Sequence, residues 1–262
     1  MPLSRRSLLQ AVGIPTLAAA VAGCTLGNGG SAEKARCVSA GDTVRHRGLG
    51  GARFVYDISG EPTSFRFDAD FYGQLKRWLT DYRKLSGIAA PDQVWTYGSW
   101  LNGEPGCDSW HDAGRAFDLS RLVADNRVQV SCRYDIWKDY TGKRLDHFRT
   151  RYWALAASLH LHFAYVLTHL YNPTHHNHIH IDNGRSGDHL STFDKRSPSQ
   201  VQAVQAMLTH IWDRRVEITG DWNRDTAKAT ESVLARTGTT GSIDDGTDRW
   251  RAFLRATASQ KT

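Results

Sequence analysis

Hydrophobic and polar positions in residues 46–190 follow two different periods. Between Asp68 and Leu85, apolar residues recur every three or four positions, which predicts a helix with one buried face. Residues 146–160 show the same period and predict a second helix. Shorter apolar segments predict four strands, at residues 93–97, 115–120, 163–167 and 178–182. Helices and strands mixed at this spacing indicate an α+β domain over residues 46–190.

A second helical region follows a change in composition at residues 191–199. Its first helix is predicted from the apolar residues Val201, Val204, Leu208, Ile211 and Trp212. Two further helices are expected, one beginning near residues 223–225 and one over residues 247–257. We therefore predict a small three-helix domain over residues 196–262. Because a unit of this size buries little surface, the alternative is a helical extension packed against the first domain.

The first 24 residues have the features of an export signal. The pair Arg5-Arg6 precedes an apolar run at residues 8–23, which is too short for a membrane-spanning helix. The run ends in Val-Ala-Gly before Cys24, which resembles a bacterial lipoprotein processing box and implies a lipid-bearing Cys24. The alternative is an ordinary signal peptide, and both predict that the protein leaves the cytoplasm. Residues 25–45, rich in Gly, Ser and Ala, predict a flexible tether.

Composition and charge narrow the classes of partner. The 262 residues are 40% hydrophobic and contain 9 Trp, 9 Tyr and 9 Phe, which is enough to build a core and excludes a mainly disordered chain. The formal net charge is +6, and it is +4 without Arg5 and Arg6. This excess is too small to indicate nucleic-acid binding, for which we expect clustered basic residues. It suits an anionic partner such as a cell-wall polymer.

Export changes the interpretation of the four cysteines, because disulfides persist outside the cytoplasm. With Cys24 assigned to the lipid, Cys37, Cys107 and Cys132 remain. We favour a Cys107–Cys132 disulfide because both residues flank one compact segment. A bridge from Cys37 to either of them is a real alternative, and the sequence leaves the connectivity open.

Two short motifs carry the chemistry. The first runs from Ser109 to Asp118 and predicts a turn followed by a strand, with His111 in the loop and Gly114 at the bend. Neighbouring residues on a strand point to opposite faces, so Phe117 can enter the core while Asp118 faces a site. A histidine nitrogen and a carboxylate oxygen brought together in this way are candidate metal ligands.

The second motif is the histidine-rich segment 175–182. If its end forms a strand, His178, His180 and Asp182 share one face, while the two isoleucines between them pack on the other. Adjacent residues on that face lie roughly 6.5–7 Å apart along the strand. One histidine could therefore bind a metal while its neighbour reaches the substrate.

Together these motifs resemble a known group of enzymes. Residues 109–118 match the S-x-H-x-x-G-x-A-x-D pattern of D-alanyl-D-alanine carboxypeptidase-like zinc peptidases at every fixed position. The second motif is similar to the H-x-H of the wider group that includes lysostaphin-type, hedgehog-type and extensin-like domains. The resemblance spans about residues 70–185 and implies a small antiparallel sheet with flanking helices that hold one Zn²⁺.

The resemblance also implies roles for single residues. His111, Asp118 and His180 would bind Zn²⁺, and three protein ligands leave a fourth position open, as in catalytic sites. His178 would be the general base or would stabilise the oxyanion.

Three further residues receive weaker assignments. Asp182 would accept a hydrogen bond from a histidine ligand and so orient it. Ser109 would donate a hydrogen bond to a ligand or to the substrate, and Arg115 would bind a substrate carboxylate. The alternatives are a surface Asp182 and an outward-facing Arg115.

Two departures affect specificity. Some carboxypeptidases of this kind place a Glu three positions before the last ligand, where this chain has Asn177. They also carry an Arg for the peptide's terminal carboxylate in a segment that corresponds to residues 95–100, which contains none. An endopeptidase, or an altered specificity, is therefore more plausible than a strict carboxypeptidase. Residues 199–258 resemble a peptidoglycan-binding domain of the three-helix kind.

The leading hypothesis is an exported, lipid-anchored zinc metallopeptidase that faces the cell wall and hydrolyses peptidoglycan stem peptides or cross-links. An alternative is a non-catalytic, zinc-stabilised wall-binding lipoprotein, which the missing Glu and Arg favour modestly. A third is a thiol hydrolase that uses Cys107 near His111.

Overall fold

The computed structural model describes residues 37–101, 107, 109–183 and 190–260. The predicted signal region 1–24, with Cys24, lies outside these residues. Residues 37–45 were predicted as part of a flexible tether, and here the structure differs. They contain a 3₁₀ helix at residues 40–42 and the start of a strand, because backbone hydrogen bonds and a disulfide attach them to the domain.

The strands form two sheets. In chain order they are β1 (Val44–His46), β2 (Gly48–Leu49), β3 (Ala52–Tyr56), β4 (Phe65–Phe67), β5 (Gln93–Gly98), β6 (Ala116–Ala124), β7 (Arg127–Ser131), β8 (Tyr165–Leu167) and β9 (Ile179–Asp182). Strands β1 and β4 form a two-stranded antiparallel sheet, and the larger sheet has the order β2-β3-β5-β6-β9-β8, with β7 also paired to β6.

The larger sheet is mixed, which corrects the expectation of a small antiparallel sheet. Strands β3 and β5 are parallel, whereas the other pairs of that sheet are antiparallel. The parallel pair arises because a long helix lies between β3 and β5 in the chain, and parallel neighbours need such a crossover.

The described part of the chain forms six α-helices beside the sheets. They are α1 (Ala69–Ser86), α2 (Tyr134–Trp137), α3 (Gly142–His162), α4 (Pro198–His210), α5 (Arg224–Arg236) and α6 (Thr247–Ala258). The first one shows how the sequence sets its ends: the Asp68 carboxylate accepts the Phe71 N–H at 3.0 Å, and Gly87 ends the helix with a φ of 65°. No helix in the described part of the chain is long and apolar enough to cross a membrane.

Helices α1 and α3 share one hydrophobic core with the sheet. Trp78 of α1 is fully buried and donates its indole N–H to Ser158 of α3 at 3.0 Å. On the strands, Phe117 and Leu119 of β6 and Ile181 of β9 are completely buried in the same core. The residues between them point to the opposite face, where the two motifs meet.

The C-terminal helices lie where the hydrophobic pattern places them. Their core is continuous with that of the sheet domain, since Trp250 and Phe253 of α6 belong to the same buried cluster. The Trp250 indole donates to the Ser191 hydroxyl at 2.9 Å. The C-terminal helices therefore bury their apolar faces partly against the first domain.

The cysteine pairing differs from the one that we favoured. Cys37 is bridged to Cys107, with 5.0 Å between their Cα atoms, and Cys132 is a buried free thiol. Cys132 follows β7 and points into the core, where its backbone N–H donates to Ser120. The Cys37 segment instead runs beside the turn of the first motif, with the Val38 N–H donating to Asp112. Because Cys107 is in a disulfide, the thiol-hydrolase hypothesis is wrong for this form of the protein.

Candidate metal centre

The candidate metal centre combines one turn and two paired strands. His111 lies in the turn at residues 109–114, Asp118 on β6 and His180 on β9. Strands β6 and β9 are antiparallel and place Asp118 directly opposite His180. Side chains of such a cross-strand pair are close together on one face, so the strand register alone brings two of the three groups into contact.

The three ligand atoms are mutually close. His111 Nε2 lies 3.2 Å from Asp118 Oδ1, His180 Nδ1 lies 3.0 Å from the same oxygen, and the two nitrogens are 3.2 Å apart. Tetrahedral bonds of about 2.0–2.1 Å to Zn²⁺ place ligand atoms about 3.3–3.4 Å from one another. The set therefore fits a single divalent ion after small outward movements.

The hydrogen bonds behind the two histidines fix which nitrogen faces the centre. His111 Nδ1 lies 2.6 Å from the carbonyl oxygen of Ser99, which can only accept, so this nitrogen carries the proton. His180 Nε2 lies 2.9 Å from Asp182 Oδ2 and donates to it in the same way. Outer partners of this kind are typical of histidines that bind metals. The contact gives Asp182 the orienting position that the sequence suggested.

The charges of Asp118 and of the histidines in the centre depend on one another. Burial opposes the charged form of Asp118, but His111 and His178 outweigh it and hold the pKa of its carboxyl well below the usual range. Burial likewise lowers the pKa of His180, but hydrogen bonds to Asp118 and Asp182 outweigh it and raise the pKa to about 10. Without a metal, His180 is therefore an imidazolium between two carboxylates. A metal ion must displace the proton from its Nδ1.

The turn that carries His111 depends on its neighbours in the motif. The Ser109 hydroxyl accepts the backbone N–H of His111 at 3.2 Å, so it acts on the ligand's own backbone. Gly114 has a φ of 67°, and a Cβ there would lie 2.8 Å from the backbone nitrogen of Asp68. No other residue fits this position without a shift of the backbone.

His178 lies at the edge of the centre. Its Nε2 is 3.5 Å from Asp118 Oδ1, and its Nδ1 is 2.6 Å from the side-chain oxygen of Asn177. Burial lowers the pKa of His178, so the ring is neutral near pH 7. With the proton on Nδ1, the lone pair of Nε2 faces the metal ligands.

Arg115 is not directed at the centre. It precedes β6, and its Nε lies 3.8 Å from the Asp68 carboxylate that caps α1. This position agrees with the alternative of an outward-facing Arg115, because the Asp68 carboxylate already pairs with its charge.

Sequence reasoning missed an ion network close to the centre. The Asp57 carboxylate is 1% exposed and lies 2.8 Å from Arg121 and 2.9 Å from Arg133, and it also accepts from the Ser120 hydroxyl. Arg133 also forms a bidentate pair with Asp135. Asp57, Arg121 and Arg133 come from separate parts of the chain, and no local pattern links them.

Two aromatic rings beside His178 were also missed as site residues. The Tyr97 ring of β5 lies 5.7 Å from the His178 ring, and the His175 ring lies 5.1 Å from it. His175 is buried, and its Nδ1 is 2.7 Å from the side-chain oxygen of Asn172. The signal for Tyr97 was available, because strand alternation places it on the same face as Trp95, one strand away from Asp118.

No family model matches the chain, and no curated protein or solved structure matches it either. Its function must therefore be argued from the chemistry of the site itself.

Proposed function

We propose that the protein is an exported, lipid-anchored zinc metallopeptidase that hydrolyses amide bonds in peptidoglycan stem peptides or cross-links. The observation that carries the proposal is the convergence of His111 Nε2, Asp118 Oδ1 and His180 Nδ1 within 3.2 Å of one another. Structural zinc sites use four protein ligands, whereas catalytic sites use three and keep one position open. The set of three therefore supports a reaction centre.

The residues around the ligands suit amide hydrolysis. When bound, zinc polarises an amide carbonyl and lowers the pKa of a nearby water. His178 Nε2 is neutral and within reach of the ligands, so it can accept a proton and later return it to the leaving amine. Asp182 and the Ser99 carbonyl hold the two histidine ligands in orientation throughout.

The surroundings of the centre offer an apolar side chain and N–H donors to a peptide substrate. Leu101 is 54% exposed, and its N–H donates to the carbonyl of His111, so an apolar side chain borders the turn. The partly exposed guanidinium groups of Arg121 and Arg133 lie on the side of Tyr97. Each is paired with Asp57, so its charge is largely neutralised, and its remaining N–H groups can still donate to a carbonyl of the substrate.

Features beyond the centre support the choice of substrate and location. The twin-arginine signal and the processing box at Cys24 indicate export and lipid attachment to the membrane. The positive net charge suits an anionic wall polymer. The C-terminal helices, with their resemblance to a peptidoglycan-binding domain, supply a second contact with the same polymer.

The test is release of soluble muropeptides from purified cell walls, with zinc content measured on the same samples. We expect release by the wild type, none by His111→Ala, and wild-type release by His147→Ala, which changes a histidine on α3 outside the centre. Equal release by the wild type and His111→Ala would contradict the proposal.

One observation favours the non-catalytic alternative. Arg115 is paired with Asp68, and Asn177 stands where a catalytic Glu occurs in some carboxypeptidases. Under that alternative the protein binds one zinc and sediments with cell walls, but it releases no muropeptide.

A further inference from the structure

The Cys37–Cys107 disulfide joins two segments that both contact the turn carrying His111. On one side, Cys107 lies two residues before the turn. On the other, the Val38 N–H donates to the carbonyl of Asp112 at 3.1 Å, inside the turn itself. The Val38 carbonyl accepts the indole N–H of Trp100 at 3.3 Å. The bridge therefore closes a strap of residues 37–43 across the back of the turn.

Apart from the disulfide, this strap is held mainly by hydrogen bonds. Residues 37 and 39–42 are exposed, so hardly any apolar surface is buried there. Arg66 donates to the carbonyls of Ala40 and Thr43 at 2.6 and 3.1 Å. The Thr43 methyl would lie 3.2 Å from a Cβ placed on Gly114, so the strap rests directly on the turn. Few buried apolar contacts and exposed hydrogen bonds are the features of a segment that opens locally.

The turn needs such support because His111 is the one ligand outside the sheet. Asp118 and His180 are fixed by the pairing of β6 and β9, whereas the position of His111 depends on residues 109–114 and on its bonds to Ser99 and Leu101. A metal site tolerates errors of only about 0.2 Å in its ligand distances. Movement of the turn therefore acts on metal binding directly.

We propose that the Cys37–Cys107 disulfide positions His111, so that oxidation of this pair completes the metal centre and its reduction weakens zinc binding. The proposal rests on the metal centre of the proposed function. On closure, the Cys37 and Cys107 thiols lose two protons and two electrons, and a second disulfide accepts the electrons and becomes two thiols by exchange. Such disulfides persist outside the cytoplasm, so the centre would be complete only there.

The chain offers a matched control in Cys132. Burial raises the pKa of its thiol, so it takes no part in exchange at neutral pH. The variant Cys132→Ala removes a cysteine and keeps the bridge, whereas Cys37→Ala/Cys107→Ala removes the bridge and no buried thiol. Reduced wild type provides the third form, without any substitution.

The experiment measures hydrogen exchange and zinc affinity on the full chain. In the metal-free protein without the bridge, we expect amides of residues 109–115 to exchange about 10-fold faster, while amides of β6 and β9 stay protected and show that the domain is folded. Chelator competition should show zinc affinity weakened about 10- to 100-fold, the range for loss of a supporting contact. Cys132→Ala should match oxidised wild type in both measurements.

The outcomes separate this proposal from the one on which it rests. If the forms without the bridge show the same amide exchange in the turn as oxidised wild type, or the same zinc affinity, the disulfide does not position His111. The metal centre itself would still stand. Failure of every form, including oxidised wild type, to bind zinc would overturn both.

Discussion

Two sets of histidines in this molecule differ in their surroundings and hence in their charge. In the metal centre, His180 lies between Asp118 and Asp182, and those hydrogen bonds overcome burial and raise its pKa to about 10. The second set, the seam histidines, comprises His160 of α3, which contacts α6, His210 of α4, which contacts α3, and His162 of α3, which faces Asp81 of α1. Among the described residues, neither ring nitrogen of His160 has a hydrogen-bond partner, and burial lowers its pKa to about 3.

Hydrogen bonds to two carboxylates outweigh burial at His180, whereas the single carboxylate of Asp81, 3.3 Å from His162, does not outweigh burial there. His160 packs edge-on against Trp250 of α6, and His210 stacks on Trp153 of α3, so both serve as apolar surface. His180 binds a proton tightly and can exchange it for a metal ion. Substitutions can alter the two sets of histidines separately.

The largest effect is expected from acid. Burial lowers the pKa of His162 and His210 to about 4, against about 6.5 in the unfolded chain, so all three seam histidines are neutral when folded. Their contribution to stability is complete above about pH 6.5 and is lost as the pH falls towards the folded values. At pH 5, protonation of the buried His160 and His162 costs on the order of 2 kcal/mol each, and that of the partly exposed His210 costs less.

Urea unfolding at pH 7 and pH 5, followed by tryptophan fluorescence, measures this loss. The leucine in His160→Leu cannot be protonated, so between pH 7 and pH 5 this variant should lose about 2 kcal/mol less stability than the wild type. His147→Leu, a change on the same helix at a partly exposed position, should lose nearly as much as the wild type. Identical losses in His160→Leu and the wild type would contradict the comparison.

The next effect concerns His178, whose side chain is 14% exposed and faces the centre. We expect His178→Ala to lower kcat about 10²- to 10⁴-fold, the usual contribution of a general base, while one zinc per chain remains. His176→Ala is the matched control, since its ring packs against Tyr134. Loss of zinc together with activity would make His178 a ligand instead of a base.

Asp182→Asn tests the partner of His180. Replacing the carboxylate weakens the hydrogen bond to Nε2, and we expect zinc affinity to fall about 10- to 100-fold. Asp81→Asn makes the same chemical change beside a seam histidine, where the Asp81 carboxylate lies 3.3 Å from His162 Nε2. Zinc affinity should be unchanged there, and an equal loss in the two variants would contradict the assignment.

The smallest effect is a proton count. Because the pKa of His180 is raised to about 10, zinc binding near pH 7 should release about one proton. Calorimetry in buffers of different ionisation enthalpy measures this number. In the metal-free protein, the charged His180 adds stability that is complete below about pH 6.5 and is lost as the pH rises towards 10. If zinc binding released no proton, this would contradict the assignment of His180 as an imidazolium in the metal-free protein.

The sequence predicts the parts of this molecule that depend on local pattern. The period of residues 68–85 predicts α1, and alternation in residues 178–182 places His180 and Asp182 on the face opposite the isoleucines, as observed. The turn and strand of the first motif likewise place His111 and Asp118 correctly.

The remaining features depend on where distant segments meet. Cysteine spacing favoured Cys107–Cys132, but the pairing follows the path of residues 37–43 behind the turn. The ion network around Asp57 unites residues more than 60 positions apart, which no period can reveal. Which ring nitrogen of His180 faces the centre depends on its contact with Asp182, and no sequence pattern reveals that contact.

The most direct test is anomalous diffraction at the zinc edge from crystals of the zinc-loaded protein. We predict one peak per chain, about 2.0–2.1 Å from His111 Nε2, Asp118 Oδ1 and His180 Nδ1. A peak bound through Nε2 of His180, a peak elsewhere, or no peak would contradict the metal centre.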